Sequence, residues 1–549
     1  MKVYERLSQA FKAEGTTNVF GMMGDGNMYW QYANQKNGII MHEVRHEGVG
    51  LGMADGWARA TRNPGVCTAT CGPGTTQLAT AFVTAARASS PVVAFCGEYP
   101  TSDDEYTQAL DQGAFAHGCE AAFVRMGTAE DADEAVRKAF YIARTQSRPV
   151  LLSVPMDLQQ KNWDDDDPYM PSTAIIPKGV VMPHQSAIER AADMLAKAKR
   201  PVIVVGRGAM WSDAGDEIRK LAQRSGALIA TTLQAKNWLV DDEYQIGISG
   251  TYATKTAMQL LSDSDVVVAV GASLNRYTTH EGLLYPEAKF IHIDPKAHVM
   301  LSRGKGADHY VQADGKAGVA ALEAELAKRN FKQLGYRTGA VKEKLANAWE
   351  DRHEYALEPG TLDPRPLCLE LDNLLPTDIS LFAGSGCTAG FTNILFRKSR
   401  PMVMAGHFFG CIGQMMPAAV GAIIGTGMKP AVLMDGDAST MMHIGDFDTM
   451  VRYKVPLLIY CMNNQCLGAE YYKLDAHKME VENSCIPTAD MGAVARAFGG
   501  KGALCRTVEE VKKATAEWLA NPGPMIIDVR ISRSVVTLPY RRIHYGEDE

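Results

Sequence analysis

Ala431-Val432-Leu433-Met434 runs directly into Asp435-Gly436-Asp437-Ala438-Ser439, and Leu457-Leu458-Ile459-Tyr460-Cys461-Met462 runs into Asn463-Asn464-Gln465-Cys466-Leu467-Gly468. Each apolar run has the length and bulk of a buried parallel strand. Asn464 follows Asp437 by 27 positions, which is room for one strand–helix–strand crossover. Both polar side chains therefore belong at the C-terminal edge of one sheet. A hard cation such as Mg²⁺ takes oxygen ligands of this kind, a carboxylate, an amide carbonyl and phosphate oxygens. Helix N-termini beginning at this edge add backbone amides for those phosphates.

The same reading extends through the chain. Asn18–Gly21, Pro91–Cys96 and Pro149–Val154 read as strands of a first block, with a Gly/Ala-rich helix over Val49–Ala60. The acidic run Asp164–Asp167, followed by Pro168, Pro171, Pro177 and Pro183, reads as a linker, because like charges repel and proline interrupts helices. Arg200–Gly206, Asp265–Gly271 and Lys289–Asp294 are strands of a Rossmann-like second block. A Lys/Glu-rich helical stretch is expected from Asp314 to about 355. Ile379–Phe382 and Met525–Val529 complete a third block. The expectation is an α/β protein of three doubly wound domains with mainly parallel sheets, at 1–165, 184–335 and 360–549.

Composition excludes several classes of function. Of 549 residues, 56 are basic and 63 acidic, for a net charge of −7. No basic stripe is present to hold nucleic acid. No apolar run reaches the length of a membrane span. The N-terminus lacks the apolar core of a signal peptide. Eleven cysteines without a CxxC pair predict reduced thiols and a cytoplasmic location.

The GDAS…NNQCLG pattern resembles the diphosphate- and metal-binding motif of thiamine diphosphate enzymes. Arg45-His46-Glu47-Gly48 through Arg59, with Cys71-Gly72-Pro73-Gly74, looks like the pyrimidine-binding domain of acetolactate synthase-like enzymes. Gly410-Cys411-Ile412-Gly413 with Met416–Ala422 is similar to the segment that bends the cofactor. The resemblance, which takes in benzoylformate decarboxylase, implies thiamine diphosphate and Mg²⁺ as cofactors. By residue-wise match, Glu47 would hydrogen-bond the aminopyrimidine nitrogen and Ile412 would wedge the two cofactor rings. The Gly410 carbonyl and Ile412 amide would bond the pyrimidine edge. Asp437, Asn464 and the Cys466 carbonyl would ligate the metal. Gly384, Ser385, Gly436, Ala438, Ser439, Leu467 and Gly468 would surround the diphosphate. Asp25 matches an active-site aspartate of some decarboxylases, although a plain turn accounts for it equally. Gln112 stands on a stretch similar to the glutamine-bearing loop of acetolactate synthases.

Departures from the family pattern also carry expectations. Ala438 replaces a glycine, which requires a negative φ there. Gln414-Met415 replaces a pair richer in glycine and aromatics, and should reshape the pocket near the thiazolium. The paired histidines of pyruvate decarboxylases are missing. The expected chemistry is C–C bond cleavage and formation on a small 2-oxo acid or ketone, leaning to acetolactate synthase-like carboligation with an aldehyde or keto acceptor. The alternatives are simple decarboxylation, hydrolysis of a diketone, or a non-catalytic regulatory subunit that binds cofactor. The flavin-holding pattern of acetolactate synthases is not intact, so no tightly bound FAD is expected. The resemblance further implies a homodimer or homotetramer with active sites at the interface. The tail from Tyr540 to Glu549 could close over the site.

Overall fold

The computed structural model describes residues 1–103, 105–165, 167–298, 306–346, 348, 351–406 and 408–546. Asp166, within the expected acidic linker, lies outside the described residues.

The chain forms three six-stranded parallel sheets in sequence, each flanked by helices. The first contains β1 (Asn18–Gly21), β2 (Ile40–Glu43), β3 (Gly65–Ala69), β4 (Val92–Glu98), β5 (Ala122–Arg125) and β6 (Val150–Pro155), in the order β2-β1-β3-β4-β6-β5. The second contains β7 (Pro201–Val205), β8 (Leu228–Thr231), β9 (Gln245–Ile248), β10 (Val266–Val270), β11 (Lys289–Asp294) and β12 (His309–Gln312). Its order, β12-β11-β10-β7-β8-β9, is that of a Rossmann sheet. The third contains β13 (Ser380–Ala383), β14 (Val403–Ala405), β15 (Ala431–Gly436), β16 (Leu457–Asn463), β17 (Lys501–Cys505) and β18 (Met525–Arg530). Its order, β14-β13-β15-β16-β18-β17, repeats that of the first sheet.

Helices on both faces leave the central strands fully buried, which is why they read as unbroken apolar runs. Five helices matter for the site: α1 (Glu47–Thr61), α2 (Thr388–Leu395), α3 (Met415–Gly425), α4 (Asp437–Met442) and α5 (Gly468–Ala476). One apolar core is shared by the first and third sheets, running from Leu51, Met53 and Ala54 through Met416, Ala419 and Ile423 to Leu433 and Ile459.

The expected helix from Asp314 to about 355 is corrected. It ends at Lys328, and a shorter helix spans Gly339–Ala346. Asn330 and Gly335 take positive φ between them, and the Tyr336 amide bonds the Gly226 carbonyl instead of a helical neighbour. Among the described residues no helix is long and apolar enough to cross a membrane.

Candidate functional site

β13, β15 and β16 are consecutive neighbours in the third sheet, and each hands over to a helix at its C-terminal end: α2, α4 and α5. This is the switch point of the sheet, between β13, which connects outward to β14, and β15, which continues the other way. Among the described residues no side chain caps the N-terminus of α2, α4 or α5. Three other helices of the same domain are capped, by Asp363, Asp490 and Thr507, and those at Met415–Gly425, Phe447–Arg452 and Leu538–His544 are not. Uncapped helix starts leave orphan amides that an anion can satisfy.

Asp437 opens α4. It is buried, which pushes its carboxyl pKa up, while Thr488 Oγ1 donates to its Oδ2 at 2.7 Å. Asn464 is buried at the end of β16. Its Oδ1 accepts from the Cys466 amide at 3.2 Å, and its Nδ2 lies 3.8 Å from Cys387 Sγ. A Cβ on Gly468 would fall within 2.8 Å of Asn464 Nδ2, so the start of α5 and the asparagine side chain adjoin. Ala438 lies inside α4 in right-handed conformation, so its methyl group is accommodated.

Asp435, which sequence reasoning passed over, organises this edge. Its carboxyl is fully buried and its pKa is pushed up to about 7 by desolvation. It accepts from Ser439 Oγ at 2.7 Å and from the Gly436 amide at 2.9 Å. Ser439 Oγ in turn accepts from the Gly413 amide at 2.8 Å, tying the Gly410–Gly413 loop to β15. A Cβ on Gly384 would lie 2.0 Å from Asp435 Oδ1, so a side chain there would displace the carboxylate. The signal was present as an aspartate at the last buried position of a strand.

Three of the residues expected around the diphosphate have amides engaged within the fold. The Leu467 amide already donates to the Ser484 carbonyl at 2.7 Å, and the Gly384 amide to the Met434 carbonyl at 2.9 Å. The Gly436 amide is engaged by Asp435. The fold uses these groups to hold its own strands and loops. Ser385 Oγ donates to the Gly406 carbonyl at 2.6 Å.

Glu47 opens α1 and is half-buried. His46 caps the same helix, its Nδ1 accepting from the Gly48 amide at 3.1 Å. A Cβ on Gly74 would lie 3.3 Å from Glu47 Oε1, so glycine there keeps the carboxylate clear. Asp25 is exposed on the loop after β1, close enough to Cys71 and Tyr106 for its charge to raise both their pKa values, though burial contributes more. Gln112 is buried, and its Nε2 donates to the Gly97 carbonyl at 2.6 Å while its Oε1 has no partner. Gln108, on the preceding loop, accepts from the Cys71 thiol at 3.1 Å.

α1 and α3 pack with their N-termini at one end. Gly52 lies against the Pro417 ring and the side-chain Oε1 of Gln414. The His46 and His443 rings are 5.6 Å apart, and Gln414 Nε2 donates to His443 Nε2 at 3.2 Å. Burial, with His46 close by, lowers the His443 pKa to about 4, so the ring is neutral and can accept. Gln414 Oε1 is buried without a partner. Ile412, half-buried, and Gly410, exposed at φ 75°, precede α3. The C-terminal helix Leu538–His544 lies on α5, with Tyr540 and Tyr472 rings 5.7 Å apart and Tyr545 Oη donating to Asp475 Oδ2 at 2.8 Å. Residues 547–549 of the expected covering tail lie outside the described residues.

Three family models match the chain. They are the N-terminal TPP binding domain of thiamine pyrophosphate enzymes over residues 1–119, the central domain over 188–322 and the C-terminal TPP binding domain over 384–529. Among relatives, a probable acetolactate synthase large subunit of Methanocaldococcus jannaschii is 28% identical over 97% of this chain and 92% of its own length. The acetolactate synthase isozyme 2 large subunit of Escherichia coli K12 is 28% identical, covering 95% and 94%. Sulfoacetaldehyde acetyltransferase of Castellaniella defragrans is 27% identical, covering 98% and 94%. With all three domain models matched in order on three parallel α/β domains, the chain belongs to the thiamine pyrophosphate enzymes, in their acetolactate synthase-like branch.

Proposed function

We propose that this enzyme is a carboligase that cleaves a bond beside the keto carbon of a small 2-oxo acid and passes the acyl fragment to a second carbonyl compound. The observation that carries the reading is the convergence of three helix starts without side-chain caps beside Asp437 and Asn464. Such an edge suits a diphosphate bridged by a divalent cation. Full-length similarity to acetolactate synthases and to an acetyltransferase supports acyl transfer as the reaction class.

In this reading residues 1–165 form the pyrimidine-binding domain, 184–335 a central domain and 360–549 the diphosphate-binding domain. Asp437, Asn464 and the Cys466 carbonyl hold Mg²⁺. The amides of Ser385, Ala438, Ser439 and Gly468 hold the diphosphate. Bound there, thiamine diphosphate supplies the electron sink that lets a bond beside a carbonyl break and another form. Glu47 would hold and return a proton at the aminopyrimidine, and Ile412 would pack against the cofactor rings. Gln414 and His443, hydrogen-bonded to each other, flank the start of α3 beside the Ile412 segment.

Met441, Met442 and Phe409 are exposed large hydrophobics around the same edge. Apolar exposure of that kind is covered in an assembly, and a second copy of the chain is the proposed cover. Product analysis with pyruvate alone tests the reaction. Acetolactate is the expected product, acetaldehyde would replace this reading with simple decarboxylation, and absence of turnover across a panel of 2-oxo acids and acceptors would overturn it.

A further inference from the structure

Cys466 and Cys485 face each other across an isolated antiparallel bridge. The hydrogen bonds beside them come from the flanking residues: the Leu467 amide donates to the Ser484 carbonyl at 2.7 Å, and the Ile486 amide to the Gln465 carbonyl at 3.0 Å. Cys466 and Cys485 are therefore a non-hydrogen-bonded pair, the register in which opposed residues approach most closely, with Cα atoms about 4.5 Å apart and side chains on the same face. Disulfides need Cα separations of about 4.4–6.8 Å and Cβ separations of about 3.5–4.5 Å. Cys466 is buried and Cys485 half-buried, so Cys485 is the more accessible of the two, its thiol donating to the Val481 carbonyl at 3.7 Å. Arg533 Nη1 donates to Cys485 Sγ at 3.2 Å, and Glu358 holds the same guanidinium at 2.7 Å. The half-exposed sulfur is thereby fixed in place.

We propose that Cys466 and Cys485 form an oxidisable dithiol, a modification site for low-molecular-weight disulfides, whose closure weakens binding at the diphosphate edge. Cys485 sulfur attacks one sulfur of the incoming disulfide, forming a mixed disulfide and releasing one thiolate. Cys466 sulfur then attacks Cys485 sulfur, releasing the second. Two electrons pass from the protein pair to the reagent, and the two protons of the protein thiols end on the two released thiols. The step reverses with excess reduced thiol.

The effect on the site follows from distances. Opposed Cβ atoms in such a pair lie about 4.5–5.5 Å apart and a disulfide needs about 3.5–4.5 Å, so closure shifts the Cβ atoms by about 1 Å and must turn the two backbones, whose Cα atoms already stand at the short end of the disulfide range. Metal–ligand distances tolerate about 0.2 Å. Cys466, whose carbonyl is assigned to the cation, cannot move that far and keep its ligand geometry. Asn464 and Gly468 lie on the same short loop, and Gln465 between them already sits at φ 57°. This consequence rests on the proposed cofactor site, whereas formation of the crosslink does not.

The other group with ligand spacing among the described residues, His292, Asp294 and His298, carries no such argument. His298 already pairs with Asp294 at 3.3 Å, and His292 is bound to the Ala272 carbonyl at 3.1 Å.

The test treats full-length wild type and Cys485→Ser with millimolar oxidised glutathione. A crosslinked peptide pair containing Cys466 and Cys485 is then sought by non-reducing mass spectrometry. Affinity for thiamine diphosphate with Mg²⁺ is measured by calorimetry before oxidation, after it, and after dithiothreitol. The expected result is the 466–485 crosslink in wild type alone, a loss of affinity of at least tenfold, full recovery on reduction, and no change for Cys485→Ser. Absence of the crosslink, pairing with Cys387 instead, or a crosslink that leaves affinity unchanged each overturns the proposal. If the reduced protein binds no thiamine diphosphate, the functional reading fails instead, and the crosslink result stands apart from it.

Discussion

Replacing Gly56 with alanine tests whether direct backbone contact between α1 and α3 sets the active geometry. A Cβ at position 56 would lie 1.8 Å from the Ala418 carbonyl oxygen and 2.5 Å from its carbon. Ordinary contact begins near 3.4 Å, and close-packed interiors have no void to absorb the difference, so the helices must part by about 1.5 Å. A gap of 0.5–1 Å already forfeits about a quarter to a half of the dispersion energy of facing atoms. Overpacking of this kind costs about 3 kcal/mol, and the better helix propensity of alanine offsets about 1 kcal/mol. The net expectation is a loss of about 2 kcal/mol. The functional loss should be larger than that implies. α1 begins at Glu47, α3 follows Ile412, and a displacement of about 1 Å at reacting groups can cost about 10²-fold in rate. The assay is kcat for product formation at saturating thiamine diphosphate, with the urea midpoint followed by circular dichroism. Gly118→Ala is the control, because nothing lies within 4 Å of its Cβ. If Gly56→Ala keeps wild-type kcat and midpoint, backbone contact does not position these groups.

Three further outcomes are expected. His42 is buried, its Nε2 bonds Asn18 Oδ1 at 2.7 Å, its Nδ1 has no partner, and burial lowers its pKa to about 4. Below pH 6.5 the unfolded chain takes up this proton and the fold does not, so stability falls as pH drops from about 6.5 to 4. The loss is about 2 kcal/mol at pH 5. Urea midpoints at pH 7 and 5 for wild type and His42→Gln should show a smaller acid loss in the variant, and equal losses would reject the assignment. Glu47→Gln should slow exchange of the thiazolium C2 proton of bound cofactor by at least 10²-fold, read by NMR, with affinity for the cofactor little changed; an equal rate would remove Glu47 from the chemistry. Ser439→Ala leaves the Gly413 amide and the Asp435 carboxyl without their shared partner. At about 1–3 kcal/mol per buried unpaired group, it should weaken cofactor binding tenfold or more by calorimetry, and unchanged affinity would show that the Gly410–Gly413 loop is held by other contacts.

The strands that sequence located best, Leu457–Met462 and Asp265–Gly271, are those buried on both faces, where burial alone dictates an apolar run. Asp437 and Asn464 were legible because a polar residue ending such a run has few places to be except the sheet edge. What stayed hidden depended on partners far apart in sequence. Leu467 and Gly468 look equivalent as amide donors, yet Ser484 engages one of them. Gln112 reads as a polar loop residue until the Gly97 carbonyl draws it inward. Asp435 reads as one more acid of the motif, and only the fold reveals that Ser439 and the Gly436 amide meet on it. The break after Lys328 was hidden for the same reason, since the Gly226 carbonyl that ends it lies about a hundred residues upstream.

The shared strand order of the first and third sheets makes α1 and α3 equivalent, since α1 joins β2 to β3 and α3 joins β14 to β15. Their contact has the same symmetry. A Cβ on Gly56 would lie 1.8 Å from the Ala418 carbonyl oxygen, and one on Gly421 would lie 1.8 Å from the Met53 carbonyl oxygen. Reciprocal contacts of this form mark a self-complementary interface, here between two domains of one chain related by a pseudo-two-fold axis. Glu47 and Ile412 then stand at or just before the starts of equivalent helices, which is why one packing event brings both to the same end. A sharp expectation results. Gly421→Ala should cost as much stability and activity as Gly56→Ala, and the double variant should cost clearly less than the sum. Once one methyl has parted the helices, the second enters space already opened, and neighbouring sites of this kind couple by about 0.5–3 kcal/mol. Urea midpoints of the two single variants and the double variant decide the matter. Strictly additive losses would mean that the two glycines relieve separate clashes, and the symmetric contact would lose its role in aligning the two halves of the site.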